Sequence, residues 1–323
     1  MIIARQDIIR LLAVFAAVLG LAACGRGGSG KAAAPVEFPQ VAVPGLIGDP
    51  QERVDYMVLH FWDAFADPAR TGTCDSTLVC GVRKEDVEEK YGLFATLLDQ
   101  TSPKTAESAM VRLYERAEQC EAADTASNLF ETLVEFSAKY LFDPNSPVRS
   151  EDRYLPFVER LATSAYVSPG MQQAYAFDAR VCRLNHTGTP AADFRIKDRQ
   201  GRVRTLYGIQ APYTLLFFSN PGCEACKAII DQLQASPRVS QLIGGGTLAV
   251  VNVYIDEDLD AWMAYSVQYP STWISGYDPD YAIRTDLLYG VRAIPSLYLL
   301  DAKKDVLLKD VPPEKLFAAL ERL

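Results

Sequence analysis

Apolar residues recur every three or four positions through the first half of the chain, and alternate or run continuously through the second. After Asp49-Pro50, the residues Val54, Met57, Val58, Phe61, Trp62 and Phe65 share one face of a helix that Asp67-Pro68 ends. Asp at the cap and Pro in the first turn mark its start. The same spacing predicts a helix over 84–99, with Tyr91, Phe94, Leu97 and Leu98 inward. A third starts at Ser102-Pro103 and runs through Met110, Leu113 and Ala117. A fourth covers 125–140 and carries Leu129, Phe130, Leu133, Val134 and Phe136; two more cover 151–166 and 169–182. Six helices without strands predict a small all-α domain over 36–186.

At His186 the texture changes. Residues 195–198 alternate as a strand does, 199–202 form a turn, and 203–206 return. Residues 213–219 and 247–255 are continuous apolar runs, the mark of parallel strands buried on both faces. Between them Ala228, Ile229, Ile230 and Leu233 have helical spacing, which makes a βαβ unit. The pattern then predicts a helix over 258–269, a short strand over 272–276 and a helix over 278–289. A hairpin follows from 296–301 and 305–310, and a last helix runs from Pro312-Pro313 to Leu323. Residues 187–323 are therefore expected to form an α/β domain: a mixed sheet flanked by helices.

Composition narrows the class. Hydrophobic residues make up 49% of 323, enough for two cores. A net charge of −9 without a long basic run argues against nucleic acid and against electrostatic attachment to a membrane surface. The N-terminus carries Arg5 and Arg10, then an uncharged apolar stretch over 11–21, then Leu21-Ala22-Ala23-Cys24. Such a stretch is too short to span a bilayer and suits a secretory signal peptide over 1–23. Its end resembles the lipobox of bacterial lipoprotein signal peptides. That resemblance implies cleavage before Cys24, diacylation of its sulfur and attachment to a membrane. Residues 24–35, rich in glycine, form a flexible tether reaching about 18 Å.

The candidate chemistry is Cys223-Glu224-Ala225-Cys226, at the point where the strand over 213–219 turns into a helix. A cysteine at a helix N-terminus meets unpaired N–H groups and the positive end of the helix dipole, which favour the thiolate. A second cysteine three residues on can close a small disulfide, the arrangement of thiol–disulfide exchange. A zinc site would need a second such pair or nearby histidines, and the chain has only His60 and His186. The plainer alternative is a structural pair. No metal and no cofactor are expected. His60 and Asp63 are spaced to meet on a helix face and read as a surface contact rather than a catalytic pair. Four further cysteines, Cys74, Cys80, Cys120 and Cys182, could form two bridges in three connectivities or remain buried thiols. Cys74 and Cys80 flank a polar loop and could close it locally.

Three elements of residues 187–323 resemble the thioredoxin-like superfamily, and within it the membrane-tethered extracytoplasmic reductases of the TlpA/ResA group. They are Thr189-Pro190-Ala191-Ala192-Asp193-Phe194, the Cys223–Cys226 motif, and Ile294-Pro295 before a strand. The resemblance implies that Cys223 attacks, Cys226 resolves, Pro295 is cis and faces the dithiol, and the Ile294 backbone pairs with an extended substrate. The implied partners are protein or small-molecule disulfides and an upstream electron donor. The helical half, with Tyr56-Met57-Val58-Leu59-His60-Phe61-Trp62-Asp63, resembles a domain of unknown function that precedes thioredoxin-like domains in envelope lipoproteins of Gram-negative bacteria. That implies the cell envelope, at the outer membrane, facing the periplasm or the surface. The chain departs from the pattern at several positions. Phe217 stands where thioredoxin has a buried aspartate, Gly222 where it has tryptophan, and Ala225 where proline is common. The TlpA/ResA group often carries a glutamate in the returning strand of this hairpin, and Thr205 is the nearest match to it. A peroxiredoxin needs Thr or Ser three residues before its reactive cysteine, and Asn220 and Cys223 hold those places. The reading is a lipid-anchored thiol–disulfide oxidoreductase acting as a reductant. The alternative is a non-enzymatic binding or scaffold lipoprotein with the same fold.

Overall fold

The computed structural model describes residues 34–323. The signal-peptide reading, Cys24 and most of the glycine-rich tether lie outside the described residues. Residues from Pro35 to Leu323 form a single compact unit built from a helical half and an α/β half.

Helix α1 spans Pro50–Leu59, and the Asp49 carboxylate accepts from the Glu52 N–H at 2.9 Å. It stops earlier than its apolar spacing predicts, and residues 60–66 turn instead. Neighbouring helical positions point about 100° apart. Phe61 and Trp62 are nonetheless both buried, and leaving the helix lets both reach the core. There Phe38 stacks on Phe65 at 4.8 Å and meets Trp62 edge-on at 5.5 Å. Helix α2 (Lys84–Leu98) buries Val87, Tyr91, Phe94, Ala95 and Leu98. Helix α3 (Pro103–Ala123) starts at Ser102, whose hydroxyl accepts from the Thr105 N–H at 3.1 Å. Helix α4 (Leu129–Ser137) continues into a π-helical turn over Ala138–Phe142, and α5 (Glu151–Leu161) and α6 (Pro169–Arg183) complete the set.

The helical half also contains a minimal hairpin, where no strand was expected: β1 (Leu78–Val79) and β2 (Val82–Arg83). Its two turn residues, Cys80 and Gly81, have φ of 48° and 81°. Two consecutive left-handed residues match the twist of paired strands. Cys-Gly is not the Asn-Gly or Asp-Gly pair that announces such a turn.

In the α/β half, β3 (Arg195–Asp198) and β4 (Val203–Thr205) form the expected hairpin. Then come β5 (Tyr213–Phe218), α7 (Glu224–Ala235), α8 (Pro237–Gly244), β6 (Leu248–Tyr254), α9 (Leu259–Tyr265) and β7 (Ile274–Tyr277). The remaining elements are α10 (Ala282–Thr285), β8 (Ser296–Leu300), β9 (Val306–Leu308) and α11 (Pro313–Leu320). The sheet order is β4-β3-β7-β6-β5-β8-β9, with β5–β6 and β6–β7 parallel and the other pairs antiparallel. Side chains alternate along β5: Leu215 and Phe217 join one core with α7, α8 and α11, and Leu216 and Phe218 join the other with Phe194, Ile283 and Tyr289. Both faces are covered, which is why this strand reads as an unbroken apolar run.

Two expectations change here. The helix after the dithiol is two helices, because Pro237 cannot continue the first and Ser236 caps the second through the Val239 N–H at 3.2 Å. The long helix expected over 278–289 shrinks to α10. Tyr281 and Leu287 take left-handed φ of 54° and 53°, and the Asp278 carboxylate instead binds the N–H groups of Asp280 and Ile283, at 3.0 and 2.8 Å.

Candidate dithiol site

The backbone turns sharply between β5 and α7. Gly222 has a φ of 73° and open space where a side chain would begin, so the conformation rather than crowding calls for glycine. The Cys223 N–H closes this turn on the Asn220 carbonyl at 3.3 Å. Cys223 then caps α7, its sulfur accepting from the Cys226 N–H at 3.1 Å. The structure joins Cys223 and Cys226 in a disulfide. Cys223 is half-buried between exposed Gly222 and Glu224, whereas Cys226 is buried. One sulfur can thus be met from outside while the other is shielded behind it.

The turn is tied to the sheet by side chains. The Ser219 hydroxyl donates to Asn252 Oδ1 at 2.8 Å and lies 3.3 Å from the Tyr269 hydroxyl, all three being buried. The Asn220 amide donates to the Asp256 carboxylate, which Arg284 also grips. Phe217, at the position compared with thioredoxin's buried aspartate, is fully buried in the core that holds Cys226. No carboxylate enters that core from β5.

The Ile294–Pro295 peptide bond is cis. Ile294 is half-buried against both cores of the sheet, and Cys223 packs on the one that also contains Cys226. The Ser296 hydroxyl, next along the chain, donates to the Asp310 carboxylate at 2.7 Å. Burial pushes that carboxyl up to about 6, although Arg149 stands 3.6 Å away and the Ser296 bond opposes the shift. A folded pKa above the ordinary 3.8 means the native state holds the proton more tightly between those values. This contribution is full below about pH 4 and is lost as pH rises through about 6. Urea titrations of the parent and Asp310→Asn should show the parent losing stability relative to the variant over that window; parallel curves would contradict it.

Arg292, three residues before Pro295, is tied into the helical half rather than solvated. Its guanidinium lies 3.8 Å from the Phe142 ring centroid, donates to the Phe142 carbonyl and pairs with Glu151 at 3.0 Å. Glu151 is buried, and the buried Lys309 ammonium lies 2.9 Å from its other oxygen, an ion pair by distance without good hydrogen-bond alignment. Lys309 also donates to the Cys182 carbonyl at 2.5 Å. Arg149 donates to the Asp310 and Val311 carbonyls at 2.9 and 3.0 Å. The segment before Pro295 and the segment just after β9 are therefore held by charged groups of the helical half. No periodicity in sequence marks such pairs, which lie more than a hundred residues apart.

Elsewhere, His60 Nδ1 is 2.7 Å from Asp63, and Arg112 grips the same carboxylate with bonds of 2.7 and 2.6 Å. Partial burial opposes ionisation of Asp63, but Arg112 and His60 together hold its carboxyl below the usual range. This is a structural polar cluster between the turn after α1 and α3. Two clefts, of about 430 and 280 Å³, lie between the two halves, and neither is lined by Cys223 or Cys226.

A mixed sheet of this order, with a cysteine pair where a central parallel strand turns into a helix, defines a thioredoxin-like domain behind a helical region. The family model described as "Domain of unknown function (DUF5106)" matches residues 21–185, just over half the chain. The chain belongs to that family. Among solved structures it is similar to a thioredoxin-like protein from Bacteroides caccae, with 32% identity and a TM-score of 0.77 over 88% of this chain and 98% of that one. It is also similar to the C-terminal domain of an uncharacterized protein from Bacteroides fragilis, with 42% identity over 42% of this chain and 98% of that one, TM-score 0.41. The thioredoxin domain of a thiol-disulfide oxidoreductase from Bacteroides vulgatus matches at 19% identity over 42% of this chain and 96% of that one, TM-score 0.38. No curated protein matches significantly.

Proposed function

We propose that the chain is a thiol–disulfide oxidoreductase of the TlpA/ResA type, held in the cell envelope by lipid on Cys24 and working as a disulfide reductant. The observation that carries this reading is the Cys223–Cys226 disulfide at the start of α7, with one sulfur accessible and one shielded. In the reduced form the N–H of Cys226 and the dipole of α7 favour a thiolate on Cys223. That thiolate attacks a substrate disulfide, one substrate sulfur leaves as a thiol, and Cys226 then attacks Cys223 to release the second. An upstream dithiol must reduce the pair for the next cycle.

The accessible side of Cys223 lies on the surface rather than in either cleft, which suits a protein disulfide or an unenclosed small one. Glu224 adds a negative charge beside the attacking sulfur, opposing the thiolate and favouring the disulfide form, as expected of a reductant. The test is the reduction potential of the Cys223–Cys226 pair, by equilibration with glutathione buffers. A potential near thioredoxin's, about −270 mV, supports a reductant. One near that of a strong oxidant such as DsbA, about −120 mV, overturns the direction.

The anchor has its own test. Among the described residues no helix is long and apolar enough to cross a membrane. Cys24→Ala should therefore move the protein from the membrane to the soluble fraction of producing cells. Retention of that variant after a high-salt wash would count against the lipid.

A further inference from the structure

The helical half holds a thiol pair that the C-terminal dithiol leaves unused. Cys74 and Cys80 are not bonded to each other, and their sulfurs lie 3.9 Å apart, flanking a segment whose residues 75–77 are exposed and whose Val79 is buried in β1. The Cys80 N–H donates to Cys74 Sγ at 3.3 Å. The Ser127 hydroxyl stands 3.6 Å from Cys74 Sγ and 3.8 Å from Cys80 Sγ. The Asn128 side chain donates to the carbonyls of Asp75 and Leu78, at 2.8 and 3.0 Å, so the loop is fastened to the start of α4. Burial opposes ionisation of Cys74, yet these donors outweigh it and hold its thiol below the ordinary range. Burial pushes the Cys80 thiol up to about 11. Cys74 is half-buried and Cys80 buried, the same division between accessible and shielded sulfur as at Cys223 and Cys226. Among the described residues no group of three or more His, Cys, Asp or Glu could hold a metal ion.

We propose that Cys74 and Cys80 form a second redox-active dithiol, in which Cys74 attacks an external disulfide and Cys80 resolves it. The Cys74 thiolate forms a bond to one sulfur of that disulfide, whose S–S bond breaks. The displaced sulfur leaves with the electron pair and takes up a proton. Cys80 then gives its proton to solvent and attacks the Cys74 sulfur, and the second external thiolate leaves and is protonated. The two cysteines lose two electrons, and one external disulfide becomes two thiols. Closure brings the sulfurs to about 2.05 Å. It would lock the loop on α4 and fix the strand register through the Gly81 N–H bond to the Thr73 carbonyl, now 2.8 Å.

The test uses the full chain with Cys223→Ser and Cys226→Ser, so that the C-terminal dithiol contributes nothing. It is equilibrated with reduced and oxidised glutathione over a range of ratios, quenched in acid, alkylated after unfolding and mapped by mass spectrometry. The expected result is that alkylation of Cys74 and Cys80 disappears together as a linked peptide forms, while Cys182 stays alkylated. Adding Cys80→Ser should leave glutathione bound to Cys74, and adding Cys74→Ser should leave Cys80 free of it. Cys74 and Cys80 both alkylated in fully oxidised glutathione would overturn the proposal. So would a Cys80–Cys120 cross-link, or glutathione accumulating on Cys80. The mapping of the Cys74–Cys80 peptide needs neither added substitution, so a misfolded variant leaves the decision intact.

Discussion

Cys223→Ser should lower reduction of an external disulfide by the purified chain to the rate of the Cys223→Ser/Cys226→Ser double variant. Cys226→Ser should lower turnover as far but by a different route, with mixed disulfides accumulating on Cys223. The asymmetry follows from position. Cys223 caps α7, is half-exposed and accepts the Cys226 N–H. Cys226 lies beneath it among Phe217, Ile229 and Leu233, where no external disulfide reaches it first. Removing the outer sulfur removes the nucleophile. Removing the inner one leaves the nucleophile and takes away its release. Reduction measured with a small aromatic disulfide, together with intact mass of each variant, separates the two. Equal rates for the parent and the double variant would show that the fold serves as a scaffold.

Much of the site was legible because its determinants are local. The apolar run over β5, the glycine before the cysteines and the helical spacing after them lie within about twenty residues. The alternation of Leu215 and Phe217 against Leu216 and Phe218 needs only the two-residue period of a strand. The largest misreading has a tertiary cause. Asp278-Pro279 has the same form as Asp49-Pro50, yet only the latter starts a long helix. Around Asp278 the carboxylate satisfies two N–H groups in a turn, and the left-handed residues Tyr281 and Leu287 bound a single helical turn. Whether such a cap is followed by helix depends on what the next face can bury, which is a tertiary fact. The same holds for Glu151, which in sequence is only an acidic residue opening a helix. Its partners Arg292 and Lys309 come from the other half of the chain, and nothing local distinguishes them from solvated charges.

Glu151→Ala should be the most damaging substitution for stability. Glu151 and Lys309 are both almost fully buried, and Arg292 meets the second carboxylate oxygen at 3.0 Å. The alanine leaves the buried Lys309 ammonium and the partly buried Arg292 guanidinium without their carboxylate, with Asp152 4.0 Å from Lys309 and the Cys182 carbonyl as poor replacements. Breaking a buried pair from one side costs about 3–5 kcal/mol, or about 5–8 °C in melting temperature for a unit of this size. The pair itself need not be stabilising overall. An apolar substitution of both members is often neutral, so Glu151→Leu with Lys309→Met should recover much of the loss, Arg292 retaining the Phe142 ring and carbonyl. Arg292 stands three residues before Pro295, so the single variant should also loosen the segment beside the dithiol and lower disulfide reduction at temperatures where it remains folded. Calorimetry of parent, single and double variants decides the first point, and reduction rates well below the melting transition decide the second. A single variant that melts with the parent would mean that water already reaches Lys309 and that the charged cluster does not clamp the two halves together.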